Sequence, residues 1–186
     1  FYSLHHASFT LASIISTTGF STVDFDVWPQ FGRTLLVIVM CVGACAGSTG
    51  GGFKVSRIIL LFKEARNELH LLVHPKAVRV VKLNGKSVDS GTLRSVNHYL
   101  ILYVAVFALS VLLISFDGFD FTTNFSAVAA TLNNIGPGLS VIGPVRNFSQ
   151  FSIFSKIILT FDMIAGRLEL LPMLLLFSRK NWSKHF

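Results

Sequence analysis

The chain of 186 residues is 52% hydrophobic and 13% charged, carries 18 phenylalanines and has a formal net charge of +7. Soluble domains carry about a quarter charged residues, so with a mean hydropathy of +0.63 the composition sets this chain apart from them and indicates an integral membrane protein. Cys41 and Cys45 lie in an apolar run without further Cys or a matching His pair, which argues against a disulfide framework or a zinc site; both are expected to be buried, inert thiols. The chain opens at Phe1 with neither a start Met nor the features of a signal peptide, and reads as a fragment that begins inside a larger membrane domain.

Residues 1–16 read as a half-length helix, in which Leu4, Ala7, Ala12, Ile14 and Ile15 are interrupted by Ser, Thr, His5 and His6. About ten helical residues cover roughly 15 Å, half a hydrocarbon core, which fits a re-entrant helix. His5 and His6 have no partner near in sequence and are expected in packing or interfacial positions. Thr17-Thr18-Gly19-Phe20-Ser21 follows, and has an echo in Asn134-Ile135-Gly136-Pro137-Gly138. Each follows a short apolar run and precedes a longer one, as expected of non-helical backbone at membrane depth, which is tolerated only where it lines a wet cavity or is buried in protein. Thr17-Thr18-Gly19-Phe20 resembles the Thr-Val-Gly-Tyr part of a potassium-channel filter, where backbone carbonyls replace the ion's water shell and glycine permits the required dihedrals. A simple turn is the competing reading. Beyond this strand, Asp24 and Asp26 precede Trp28-Pro29, an interfacial combination in which two carboxylates would raise the local cation concentration or sit in a solvated loop.

Residues 31–46 read as a transmembrane helix broken by Gly47-Ser48-Thr49-Gly50-Gly51-Gly52, with the apolar pattern resuming at 53–62. Each glycine costs a helix up to about 1 kcal/mol relative to Ala, and a broken helix at membrane depth suits a mobile gate or an ion site. A phosphate-binding loop is excluded, because the Gly-x4-Gly-Lys spacing is absent. Lys54, Arg57, Lys63, Arg66, Lys76, Arg79, Lys82, Lys86 and Arg94 make nine of the 16 basic residues, which places this loop in the cytoplasm and assigns the positive charge to topology and anionic headgroups before nucleic acid. Asn84-Gly85 between Val80-Val81 and Ser87-Val88 predicts a tight hairpin.

The cleanest spanning helix is expected over 97–116, with an external turn at Asp117-Gly118-Phe119-Asp120, a second short helix over 122–132 and the second glycine strand. The final span, 151–177, contains Asp162, Arg167 and Glu169. An ionisable residue at membrane depth costs at least about 2.5 kcal/mol, so each needs a partner or an inward-facing role. Arg167 is expected to face the pore axis, snorkelling being the alternative. Arg179, Lys180 and Lys184 place the C-terminus in the cytoplasm. The two halves therefore repeat one order, short helix, glycine strand, long helix, with Gly19 equivalent to Gly136.

Thr17-Thr18-Gly19-Phe20, the run 43–54, His74-Pro75, the run 127–138 and Gly166-Arg167-Leu168-Glu169 together resemble the membrane subunits of Trk potassium-uptake systems, in the Trk/Ktr/HKT superfamily. The resemblance implies an all-α integral membrane fold of membrane-pore-membrane repeats with re-entrant pore helices and glycine filter strands, potassium-channel-like. Residues 1–66 would be the third repeat without its first helix, 67–96 a cytoplasmic basic loop and 97–186 the fourth repeat. It also implies a filter at Thr17, Thr18, Gly19, Asn134, Ile135 and Gly136, with potassium on the carbonyls of Thr17, Thr18, Asn134 and Ile135, and a gate formed by Gly47, Ser48, Thr49, Gly50, Gly51, Gly52 and Arg167. No enzymatic activity and no cofactor are expected. Potassium, with rubidium or sodium as other candidate cations, would be the substrate. The setting implied is the bacterial inner membrane, as a homodimer on a cytoplasmic nucleotide-binding ring of the TrkA type. Two other readings stay open on the residues alone: a secondary transporter with broken helices for an anionic or zwitterionic solute, and a structural membrane subunit without a pathway.

Overall fold

The computed structural model describes residues 1–43, 45, 51–75, 80–83, 85–168 and 173. Among them lie six α-helices, α1 (Tyr2–Ile15), α2 (Gln30–Val42), α3 (Val55–Val73), α4 (Ser90–Ile114), α5 (Phe121–Leu132) and α6 (Ile153–Leu168), and a hairpin of β1 (Lys82–Leu83) and β2 (Lys86–Ser87). Helix α4 and the turn that prolongs it, residues 90–117, form the one described helix long and apolar enough to cross a membrane. At 14 and 12 residues, α1 and α5 are about 21 and 18 Å long and stop short of a bilayer's thickness.

Helix α5 is the centre. Every residue from Ser126 to Leu132 is buried, and α2, α4 and α6 all pack against it. Ala127, Ala129 and Ala130 are fully buried, and such small side chains let helices approach closely. Asp120 caps α5 by accepting hydrogen bonds from the Thr123 hydroxyl and, at 3.3 Å, from the Thr123 N–H. The Thr123 hydroxyl holds the Asp120 carboxyl below its usual value, so the cap strengthens α5 at neutral pH and weakens as pH falls through that lowered value. One apolar core joins Tyr99, Tyr103, Val128, Leu132 and Leu159; a second joins Ile14, Phe25, Leu36 and Met40 to Ile135 and Leu139, and so unites the two halves.

Polar links tie the long helices. The Ser110 hydroxyl donates to Asp162 Oδ1 across α4 and α6 at 2.8 Å, which gives one oxygen of this fully buried carboxyl a partner, while Oδ2 has none among the described residues. Asn97 donates to both Glu64 oxygens at 3.1 Å, and the Arg57 guanidinium lies 4.0 Å from the Tyr99 ring centre; both join α3 to α4. Asp117 accepts the Ser152 N–H at 2.9 Å and anchors the start of α6.

Several boundaries differ from expectation. Helix α2 ends at Val42, four residues early, because Gly43 takes φ +71° and packs against the backbone of Gly51 and Gly52. Helix α3 runs to Val73 and α4 begins at Ser90, so helix occupies both ends of the stretch expected as loop over 67–96. The hairpin forms where predicted, with Val88 N–H donating to Val81 O at 2.9 Å, while Asn84 lies outside the described residues. The cysteines are not buried. Cys41 is half-buried and Cys45, beyond the helix end, is exposed.

Gly166 marks the tightest approach among the described glycines. A Cβ there would lie 1.8 Å from the Leu132 carbonyl oxygen, and backbone cannot yield as a side chain can. Overpacking typically costs about 1–3 kcal/mol. Gly166→Ala is therefore expected to lower the thermal unfolding midpoint of the detergent-solubilised full-length protein by several degrees, and an unchanged midpoint would mean that α6 slides off α5 at little cost.

Candidate functional site

The two short helices stop in the same way. At the end of α1, Thr17 N–H donates to Ile14 O at 3.1 Å and Thr18 N–H to Ser13 O at 2.9 Å; at the end of α5, Asn134 N–H donates to Thr131 O at 3.0 Å and Ile135 N–H to Ala130 O at 2.8 Å. This paired closure needs a left-handed residue just past the helix, and Thr17 and Asn134 both have φ +55°. Asn takes such angles readily, whereas for β-branched Thr they are a true outlier costing on the order of 1–3 kcal/mol. Two residues further on, Gly19 (φ +76°) and Gly136 (φ +106°) turn left-handed again, in angles that glycine adopts without strain. The repeat legible in the sequence is thus repeated in the hydrogen bonds of these caps.

The strands beyond the caps meet. A cavity of about 430 Å³ is lined by Thr17 and Thr18 from the first, Asn134, Ile135 and Gly136 from the second, and residues of α5 and α6. Gly19 lies against the second strand, where a Cβ would be 2.1 Å from the Ile135 carbonyl oxygen. Asn134 Nδ2 donates to Met163 O on α6 at 3.1 Å. The cavity therefore receives the C-terminal ends of α1 and α5, each carrying a partial negative charge, beside hydroxyls and backbone. Such a surrounding suits a cation stripped of part of its water.

One positive charge also lines it. Lys156 of α6 reaches the cavity with Nζ donating to Ser149 O at 2.9 Å. The sequence reading passed over this residue, although a Lys inside the final apolar span was itself a signal.

Of the residues expected to form a gate, Gly47, Ser48, Thr49 and Gly50 lie outside the described residues. Gly51 packs on the end of α5, where a Cβ would lie 2.5 Å from Asn133 O, and at Gly52 (φ +89°) a Cβ would lie 3.2 Å from Asn133 Oδ1. Asn133 is fully buried, accepts from the Tyr103 hydroxyl at 2.9 Å and donates to Ala129 O at 2.8 Å. It stands between the glycine segment and Asn134, and sequence reasoning missed it; an Asn pair ahead of a glycine in apolar surroundings was the available cue. Arg167 is exposed near the end of α6, beside Gly166, which abuts Leu132. Gly51 and Gly166 thus meet the end of α5 at neighbouring residues, Asn133 and Leu132.

The acids after the first strand are engaged. Asp24 accepts the Asp26 N–H at 2.9 Å, and Asp26 pairs with Arg33 at 3.2 Å and accepts the Ser140 N–H at 2.9 Å. Asp26 is therefore not the loose cation collector that its position suggested, since a guanidinium already balances its charge. His6 shares a hydrogen bond of 2.8 Å with Thr22, in keeping with an ordinary packing role.

An all-helical membrane-transport fold is what this architecture shares with solved proteins: the crystal structure of the potassium transporter TrkH from Vibrio parahaemolyticus matches with a TM-score of 0.81 at 40% identity, over 94% of this chain and 37% of that one. Residues 2–184 match the family model described as TrkH, cation transport protein, and the chain belongs to that family. It is 42% identical over 179 residues to the Trk system potassium uptake protein TrkH of Escherichia coli strain K12, covering 96% of this chain and 37% of the relative. It is 35% identical over 185 residues to TrkG of the same strain, covering 97% and 38%. The chain thus spans under two-fifths of the length of these relatives.

The Tyr103 hydroxyl holds Asn133 under the second strand, and leaving a buried acceptor unmet costs about 1–3 kcal/mol. Tyr103→Phe and Asn133→Ala are each expected to destabilise the full-length protein, and the double variant to cost less than the two losses added. Strict additivity of the unfolding free energies would show that the pair does not act as a unit.

Proposed function

We propose that this chain is part of a Trk potassium-uptake subunit in the bacterial inner membrane, in which the backbone of Thr17, Thr18, Gly19, Asn134, Ile135 and Gly136 contributes half of a cation filter. The observation that carries this reading is the shared geometry of the two strands: both leave a short helix through a left-handed residue, both turn again at glycine, and both line one cavity at helix C-termini. That polarity favours a cation; an anionic solute would call for helix N-termini at the site. The names of the relatives support potassium as the ion. Carbonyls of Thr17, Thr18, Asn134 and Ile135 would replace its water shell, with the remaining filter segments coming from the part of the subunit outside this chain. The proposal extends to a homodimer on a nucleotide-binding TrkA-type ring, with the basic loop and the C-terminus in the cytoplasm.

Rubidium uptake into liposomes by the full-length protein, with sodium as competitor, tests the filter. Gly19→Ser is expected to relax discrimination against sodium strongly, because it combines a forbidden φ with a clash against the Ile135 carbonyl, while Gly136→Ser, with open space at its Cβ position, bears only the backbone strain and should relax it less. Unchanged discrimination in both variants would sink the filter reading.

Gly47 to Gly52 and Arg167 would form the barrier below the filter. A glycine segment moves without repacking a helix, and a guanidinium facing the pathway repels cations by about 4 kcal/mol at 4 Å and an effective dielectric near 20, while its fork of donors suits free loop carbonyls. Arg167→Ala is expected to raise rubidium flux several-fold and Arg167→Lys to raise it less. Flux at or below the parental level in the Ala variant, at equal protein content, would eliminate the barrier role.

A further inference from the structure

Asp26 lies beyond the first glycine strand, yet its firmest contact is with the loop beyond the second. Its Oδ1 accepts the Ser140 N–H at 2.9 Å and the Arg33 guanidinium at 3.2 Å. Ser140 is a non-glycine residue at φ +60°, a conformation that persists only where its surroundings hold it. Its neighbours hold it on three sides. Leu139 is buried and donates its N–H to the Ser126 hydroxyl at 3.0 Å; Gly138 N–H donates to Ile142 O at 2.8 Å; and the Ser140 carbonyl accepts from Gly143 N–H at 3.1 Å and Arg146 at 3.3 Å. The fourth hold, on the Ser140 N–H, comes from the other half of the chain.

The position of this contact gives it meaning. Asp26 follows Gly19 by one short loop and Ser140 follows Gly136 by a few residues, so the bond bridges the two strands on the side away from their helix caps. On the near side the strands already touch at Gly19 and the Ile135 carbonyl. Beneath the bridge, Phe25 and Leu139 share the core that also contains Ile135. Two points of contact fix the spacing of a pair of strands where one would leave it free to open. Arg33 balances the carboxylate, so the effect is one of position and not of charge in the pathway.

We infer that Asp26 is a positioning residue for cation discrimination, a clamp between the two halves that sets the spacing of the strands through the Ser140 N–H. This rests on the filter reading above. Position and charge are separated by two substitutions. Asp26→Glu keeps the charge for Arg33 but carries the acceptor a methylene away from Ser140, whereas Asp26→Asn removes the charge and keeps an oxygen in place.

The experiment is sodium competition against rubidium uptake by the full-length protein in liposomes, measured for the parent, both Asp26 variants and Gly19→Ser. For Asp26→Glu sodium is expected to compete more effectively by on the order of fivefold, the factor that one lost hydrogen bond carries, while Asp26→Asn stays within about twofold of the parent, well inside that factor. The reverse pattern, a change in Asn and none in Glu, would assign Asp26 to electrostatic attraction and overturn the clamp. Parental discrimination in Asp26→Glu alongside relaxed discrimination in Gly19→Ser overturns the clamp and leaves the filter standing. Parental discrimination in both removes the filter and the clamp with it. Should Asp26→Glu fail to reach the membrane, Ser140→Gly with Asp26→Ala removes the same bridge while relieving the strained dihedral, and carries the same expected shift and the same overturning result.

Discussion

Backbone that leaves a helix inside apolar surroundings must find donors for its carbonyls or face something wet, and nearly everything in this structure follows from how α1 and α5 meet that constraint. Each helix closes its last turn with two hydrogen bonds from the residues just beyond it. That closure consumes the N–H groups of Thr17, Thr18, Asn134 and Ile135 and leaves their own carbonyls uncommitted to the cap. It also forces a left-handed residue at Thr17 and Asn134. The strain at Thr17 is borne because the two caps, the strands and the cavity form one packed unit.

Helix α5 bears the load of that unit. Its alanines admit α2, α4 and α6 to close range, and its C-terminal residues Leu132 and Asn133 are touched by Gly166 from one direction and Gly51 from another. A side chain at either glycine would displace the helix end and, one residue on, Asn134. Two buried polar pairs within this dense packing cross between elements: Tyr103 with Asn133 and Ser110 with Asp162. Gly51 and Gly52 are thus separated from the second strand by Asn133 alone.

The loops beyond the two strands are arranged differently. There the two halves are joined by a carboxylate, a guanidinium and one N–H, and by an apolar cluster around Phe25 and Leu139. Packing of this kind tolerates little drift, because interiors are dense and few voids remain. Between the steric contact of Gly19 with Ile135 on one side and Asp26 with Ser140 on the other, the strands have little freedom to separate.

Much of the architecture was legible in the residues themselves. Hydrophobic periods set the end of α4, all of α5 and the start of α6 within a few residues, the Asn-Gly pair set the hairpin, and the matching of Gly19 with Gly136 announced the repeat, because each of these depends on local chain chemistry. Other features were not. Helix α2 stops at Val42 because Gly43 meets Gly51 and Gly52, residues that only the folded chain brings alongside; Asp26 reads as a free acid until Arg33 and Ser140 are placed around it; and Asn133 and Lys156 gain importance only from what they touch. Sequence determines which segments form helices and where glycine releases them, since dihedral preference and hydrophobic period are local. Which strand lies against which, and which charge is already matched, was decided by tertiary packing, because Gly19 meets Ile135 and Asp26 meets Ser140 across more than a hundred positions, and only the folded loop turns the Arg33 guanidinium onto Asp26.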